Sequence, residues 1–96
     1  MSKVTVIGAG AWGSALALAA ARAGRHVTLW SRDSDQAAAM IATRENAKRL
    51  PGISLPLSIT PTSSLHEAVA SARAIILAIP AQHMRDIAQA LALVMK

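Results

Sequence analysis

The residues best suited to chemistry lie near the amino terminus. Gly8, Gly10 and Gly13 are spaced Gly-x-Gly-x-x-Gly, and Ser31, Arg32 and Asp33 follow at the end of the next apolar run. Glycine brings no functional group, so its use here is conformational. Gly8 permits a tight turn, Gly10 lets the backbone approach a ligand closely, and Gly13 lets a helix lie close to a strand. The amides that open such a helix, at Ala11 and Trp12, have no partner within it, and the macrodipole places about half a positive charge there. A turn of this kind binds a diphosphate. Further along, the Arg32 guanidinium and the Ser31 hydroxyl suit a second phosphate, through charge-assisted hydrogen bonds.

These residues need a strand before them and a helix after. Val4 to Ile7 is a short apolar, β-branched run that reads as a buried strand. An alanine-rich stretch then reads as a helix to Ala23, closed by Gly24 as its C′ residue. Ala15, Ala19 and Ala23 share one face at i, i+4, i+8 and are expected to pack against the sheet. Strand, glycines and helix together form the dinucleotide-binding fingerprint in its required context. A membrane or signal segment is the rival reading, since Val4 to Ala21 carries no charge and Lys3 precedes it. The glycines interrupt that run, and it is rich in Ala rather than Leu, which argues against it.

A chain of 96 residues makes one domain at most. Hydrophobic content of 53% against 16% charged suits a buried α/β sheet rather than a disordered chain. The expected fold is α/β, a Rossmann-type doubly wound parallel sheet. Only about four strands can be placed, where complete domains have about six. Residues 1–96 therefore read as the N-terminal part of a dinucleotide-binding domain, with a C-terminal substrate domain absent. Net charge is +5, but the basic residues are scattered, and Trp12 and Trp30 are the only aromatics. A nucleic-acid binder would want a platform of stacking rings. Zero cysteines excludes thiolate metal sites and disulfides and fits a cytoplasmic protein. His26, His66 and His83 show no metal-ligand spacing.

Arg25 to Trp30 reads as the second strand, beside the first. A site for NAD usually carries an acidic residue about 20 residues past the glycines, on the ribose 2′-hydroxyl. Here Ser31 and Arg32 stand in that place, which favours NADPH over NADH. The alternative leaves Arg32 solvated, with Asp33 capping the next helix or contacting the ribose. Asp33 or Ser34 caps a helix to about Thr43, in which Met40 and Ile41 read as core. Arg44 to Pro56 reads as a short helical turn followed by an irregular loop at Pro51-Gly52. Leu57 to Thr60 is a weak third strand ended by Pro61, and Ser64 with Glu67 forms a capping box for a helix to about Ala72. Ala74 to Ile79 is a continuous apolar run, expected to be a central strand buried on both faces. It should place Pro80, Ala81 and Gln82 beside the glycine turn. Met84 to Lys96 reads as an amphipathic helix facing the sheet with Ile87, Leu91 and Val94. His83 belongs to its start, and no catalytic role is expected of it.

Several stretches together resemble the NAD(P)-dependent glycerol-3-phosphate dehydrogenases of the bacterial type. They are Val6 to Ala17, Leu29 to Asp33, Asn46 with Leu50-Pro-Gly-Ile-Ser-Leu-Pro56, and Ala78 to Gln82. The glycine segment is shared with many dehydrogenases; Trp12 and the Leu-Pro-Gly…Leu-Pro loop are more specific. The resemblance implies reversible reduction of dihydroxyacetone phosphate to sn-glycerol 3-phosphate, feeding phospholipid synthesis. It implies cofactor contacts from residues 11 and 12 and from the Arg32-Asp33 pair. The family often has Ser where this chain has Ala11, so a hydroxyl contact is lost while the backbone amide remains. The family's substrate-binding Lys-Gly segment and its catalytic lysine fall beyond these residues, and Lys96 is assigned neither role. No catalytic residue is expected within the chain. The 96 residues alone are expected to bind cofactor weakly or not at all, and not to turn over.

The expected partners are a small phosphate substrate in the full-length protein and no nucleic acid or membrane; a homodimer is left open. Two other readings stand beside this one. One is another Rossmann dehydrogenase, of the 3-hydroxyacid or 6-phosphogluconate type, against which the Leu-Pro-Gly loop argues. The other is a non-catalytic nucleotide-sensing module, which would be expected to keep an acidic residue where Ser31 and Arg32 stand.

Overall fold

The computed structural model describes residues 3–70 and 72–95. Strand β1 (Lys3–Ile7) leads into helix α1 (Ala11–Arg22), and β2 (His26–Trp30) into α2 (Ser34–Thr43). After a loop come β3 (Ile59–Thr62), the short α3 (Leu65–Val69) and β4 (Ala74–Leu77). A 3-10 turn, Ala81–His83, then runs into α4 (Met84–Val94). The four strands form one parallel sheet in the order β3-β2-β1-β4. This is the front of a Rossmann-type doubly wound fold, with the chain direction switching between β1 and β4.

Alternation along the strands divides the core in two. Val4 and Val6 of β1, with Val27, Leu29 and Ile59, face α1 and α2 through Ala17 and Met40. Ile7 and Trp30 point the other way and meet Ala68 of α3 and Ile87 and Leu91 of α4. Thr5 shares this second face, and its buried hydroxyl donates to the Ala68 carbonyl. That bond ties the short α3 to the central strand.

Several expectations are corrected. On α1 the buried residues are Gly13, Ser14, Ala17 and Leu18, whereas Ala15, Ala19 and Ala23 are exposed. Gly13 sets the contact, and a 3.6-residue period then carries the buried face through Ala17 to the partly buried Ala20 and Ala21. Met40 is core, but Ile41, one position and about 100° further round the helix, is 55% exposed. Strand β3 begins later than expected and contains Pro61. Its bonds to β2 run through the carbonyls of Ser58 and Thr62, so the Pro61 nitrogen lies on the open edge, where no donor is needed. Ser64 caps α3 by accepting from the Glu67 amide, but the Glu67 carboxylate turns to the Thr62 hydroxyl, leaving half a capping box. The helix stops at Val69, short of Ala72.

Strand β4 pairs with β1 alone among the described strands, and Ile76 and Leu77 are 37% and 40% exposed. It is an edge strand here, not a central one. At α4, Ile87 and Leu91 are buried and Val94 is half-buried. The expected end of that helix at Lys96 lies outside the described residues. No helix among the described residues is long and apolar enough to cross a membrane.

Candidate dinucleotide site

The glycine turn sits where β1 ends. Gly8 has φ +120°, a backbone that side chains rarely adopt, and a Cβ there would stand 2.3 Å from the Ala78 carbonyl oxygen. Its amide donates to the Trp30 carbonyl at 3.0 Å, and the Ala78 amide donates to Ile7 at 2.8 Å. The turn is thus held between the ends of β2 and β4. Gly10 differs from both its partners. Its φ of −74° and ψ of −172° suit any residue, and a Cβ there would meet nothing within 4 Å. No protein atom demands a glycine at position 10; the bare backbone leaves room above the helix start.

Helix α1 opens there with no side-chain cap and no acidic residue in its first turn. By contrast, Asp33 caps α2, its Oδ1 accepting from the amides of Asp35 and Gln36 at 2.9 and 3.3 Å. The amides that begin α1 are therefore left for an anion, with the helix dipole favouring it. Trp12 is 70% exposed on this first turn. Ala11 has no side-chain donor to offer, only its amide.

A groove of about 360 Å³ runs from Gly8 and Gly10 to the end of β2, and Arg32 and Arg49 both line it. Pro80, Ile79 and His83 form its other side. A neighbouring pocket of about 380 Å³ is lined by Ala11, Trp12, Gly13 and Pro80. Both lie at the carboxyl ends of the strands, at the switch between β1 and β4, where ligands of open α/β sheets bind. A further cavity of about 420 Å³ is lined by Lys3, His26 and the β-face threonines, near the opposite strand ends. It holds none of the expected residues.

The structure brings Gly8, Gly10, Ser31, Arg32, Asp33 and Pro80 to one groove. Ala81 and Gln82 instead sit exposed on the 3-10 turn. The side chains after β2 divide their work. Arg32 is exposed. Asp33 caps α2 through Oδ1 while lining the groove. Ser31 is only 3% exposed, and its hydroxyl donates to Gln36 Oε1 at 2.5 Å, so it braces the turn from within.

Three contributors escaped the reading of the sequence. Arg49 reaches the groove from the loop after α2, and only the fold brings it to the same groove as Arg32. Asn46, 2% exposed, donates to the Ala9 carbonyl at 2.9 Å and to the Ser14 hydroxyl at 2.8 Å. Gln36 donates to the same Ala9 carbonyl at 2.9 Å and to Asn46 Oδ1 at 3.1 Å. Gln36 of α2 and Asn46, just ahead of the Leu50-Pro-Gly…Leu-Pro loop, thus support the glycine turn at Ala9. Asn46 carries part of the resemblance, but nothing local in the sequence ties it to Ala9, 37 positions away.

Residues 3–96 match the family described as NAD-dependent glycerol-3-phosphate dehydrogenase N-terminus. A glycerol-3-phosphate dehydrogenase [NAD(P)+] of Azorhizobium caulinodans is 56% identical over 90 residues, which is 94% of this chain and 27% of that protein. Its counterpart in Bradyrhizobium diazoefficiens is 53% identical over 89 residues, 93% of this chain and 27% of that one. The crystal structure of glycerol-3-phosphate dehydrogenase from Coxiella burnetii superposes with a TM-score of 0.93 at 29% identity. It covers 97% of this chain and 29% of its own. The chain therefore spans about a quarter of the length of the curated relatives it matches. The family match takes in residues 3–96, the glycine turn and the arginine-lined groove among them, and the chain belongs to the family of NAD-dependent glycerol-3-phosphate dehydrogenases, as their N-terminal part.

Proposed function

We propose that this chain is the cofactor-binding portion of an enzyme that reversibly reduces dihydroxyacetone phosphate to sn-glycerol 3-phosphate for phospholipid synthesis. It works in the cytoplasm on a small phosphate substrate, with NADPH favoured over NADH. The observation that carries this reading is the uncapped start of α1 opening onto a groove that holds two arginines. When bound, the dinucleotide supplies the hydride. The chain's own part is to hold it. The amides at the start of α1 take the diphosphate, and Gly10 keeps the approach clear. Arg32, with Arg49 of the same groove, takes the adenosine 2′-phosphate. Pro80 and Ile79 form the wall after β4.

Reduction of a ketone also needs the substrate held against the nicotinamide and a group to protonate the oxygen. We assign those tasks to residues of a substrate domain outside this chain. The test is a chimera in which residues 3–95 replace the matching stretch of the Azorhizobium caulinodans relative. It should reduce dihydroxyacetone phosphate with NADPH. A folded chimera that binds NADPH but leaves this substrate untouched would overturn the assignment. The 96 residues alone should bind NADPH weakly or not at all and show no turnover.

A further inference from the structure

The Gln36 side chain touches both ends of the groove's protein frame. Its Nε2 donates to the Ala9 carbonyl in the glycine turn, at 2.9 Å, and to Asn46 Oδ1 at 3.1 Å. Its Oε1 accepts from the Ser31 hydroxyl at 2.5 Å. The orientation of the amide is forced. Flipped, it would set Oε1 against two acceptors, the Ala9 carbonyl and Asn46 Oδ1, and NH₂ against Ser31.

Ser31 carries this constraint to the next residue. Its hydroxyl has one proton and two neighbouring acceptors, Gln36 Oε1 at 2.5 Å and the Asp33 carbonyl at 3.2 Å. The shorter contact takes the proton. The oxygen then accepts from the Asp33 amide at 3.2 Å, closing a turn around Arg32. One side chain from α2 therefore fixes the glycine turn, where a diphosphate would sit, relative to the turn that presents Arg32.

We propose that Gln36 is a positioning residue that sets the spacing between the two phosphate-binding ends of the groove, and so determines the preference for a 2′-phosphorylated dinucleotide. The proposal rests on the dinucleotide reading above. A ligand with phosphate at both ends gains from a fixed spacing, because the protein meets less ordering cost on binding. A ligand that uses the glycine turn alone gains little.

The test follows amide chemical shifts of the 96-residue chain during titration with NADP⁺ and, separately, NAD⁺. Shifts at Gly10, Ala11 and Trp12 report diphosphate binding by either nucleotide. Gln36→Met keeps the length of the side chain and removes all three hydrogen bonds. Losing them should weaken NADP⁺ roughly tenfold and NAD⁺ about twofold, lowering the ratio of the two affinities about fivefold. In an Arg32→Ala background the ratio should already be near one, and Gln36→Met should leave it there. A ratio unchanged by Gln36→Met overturns the proposal, as does an equal drop in the Arg32→Ala background, which is what a merely structural role would give. If Gln36→Met does not fold, Ser31→Ala cuts the same link at its other end and must lower the ratio likewise; an unchanged ratio there overturns it. Absence of shifts at Gly10 to Trp12 with both nucleotides, in the 96-residue chain and again in the chimera with the Azorhizobium caulinodans relative, overturns the dinucleotide reading itself, and is seen before any variant is made.

Discussion

A Cβ placed on Gly13 would stand 1.7 Å from the carbonyl oxygen of Gly8. No side-chain rotation relieves that, because the backbone fixes where a Cβ stands and the oxygen is itself backbone. The turn and the helix that follows it are in contact, and the contact requires glycine at position 13.

Gly13→Ala should therefore damage the fold itself. Either α1 moves away from β1 or the turn opens, and both disturb the core around Ala17, Val4 and Val6. Overpacking of this kind typically costs about 1–3 kcal/mol, and a clash with backbone belongs at or above the top of that range. The total stability of a small domain is only about 5–15 kcal/mol. Urea unfolding should show a clear fall in midpoint. An unchanged midpoint would mean that the helix can shift without cost.

Gly10→Ala should do the opposite. Its backbone angles are ordinary, and the added methyl meets no protein atom within 4 Å. Unfolding should move by no more than about 0.5 kcal/mol, the usual range for a surface change. Affinity for NADPH and for NADH should fall together by at least about tenfold, since the methyl occupies the space that a diphosphate would use. A folded Gly10→Ala chain that binds both at parental strength would remove this glycine from the site.

The contrast between these glycines shows what a sequence carries. Spacing marked all three, because strand, turn and helix are local. It also marked Arg32 and the cap at Asp33, which depend on the residues next to them. The face of α1 was not readable, since a helix of alanines has no polar side to fix its phase; only the Gly13 contact does. Nor was the bracing of the turn. Asn46 meets Ala9 across 37 positions and Gln36 meets it across 27, and no local pattern links them. Arg49 joins Arg32 for the same reason. The apolar run of β4 reads as a strand buried on both faces, but most of its residues are exposed, and among the described strands β4 has β1 alone beside it.

The two arginines make a prediction about charge. Arg32→Ala should weaken NADPH by at least about tenfold, the size expected for losing a hydrogen bond to a charged group, and leave NADH within about twofold. Arg49→Ala should weaken NADPH by a smaller factor, and salt should weaken NADPH more steeply than NADH in the parent chain. Calorimetric titration at two ionic strengths measures all of this. Equal loss of both nucleotides in Arg32→Ala would detach this residue from the 2′-phosphate.

Arg44 poses a question that magnitudes decide. It is the one described non-glycine residue with positive φ, at 56°, and it ends α2 in the left-handed conformation. Glycine there would relieve about 1 kcal/mol of backbone strain. The side chain opposes that gain. Its guanidinium donates to the carbonyls of Pro56 and Ile59, each at 2.6 Å, and so fastens the loop after α2 to the start of β3. Nε of the same group is buried without a partner, which subtracts something from the benefit. Two hydrogen bonds from a charged donor contribute about 1.5–3 kcal/mol each, more than strain relief and an idle Nε can offset. Arg44→Gly should thus be destabilised by about 2 kcal/mol, lowering the melting temperature by roughly 10 °C in a domain this small. Because the same loop carries Asn46 and Arg49, the variant should also lose part of its NADPH affinity at temperatures where it remains folded. A variant that melts higher than its parent would show that the left-handed cap, not the clasp, governs this corner of the molecule.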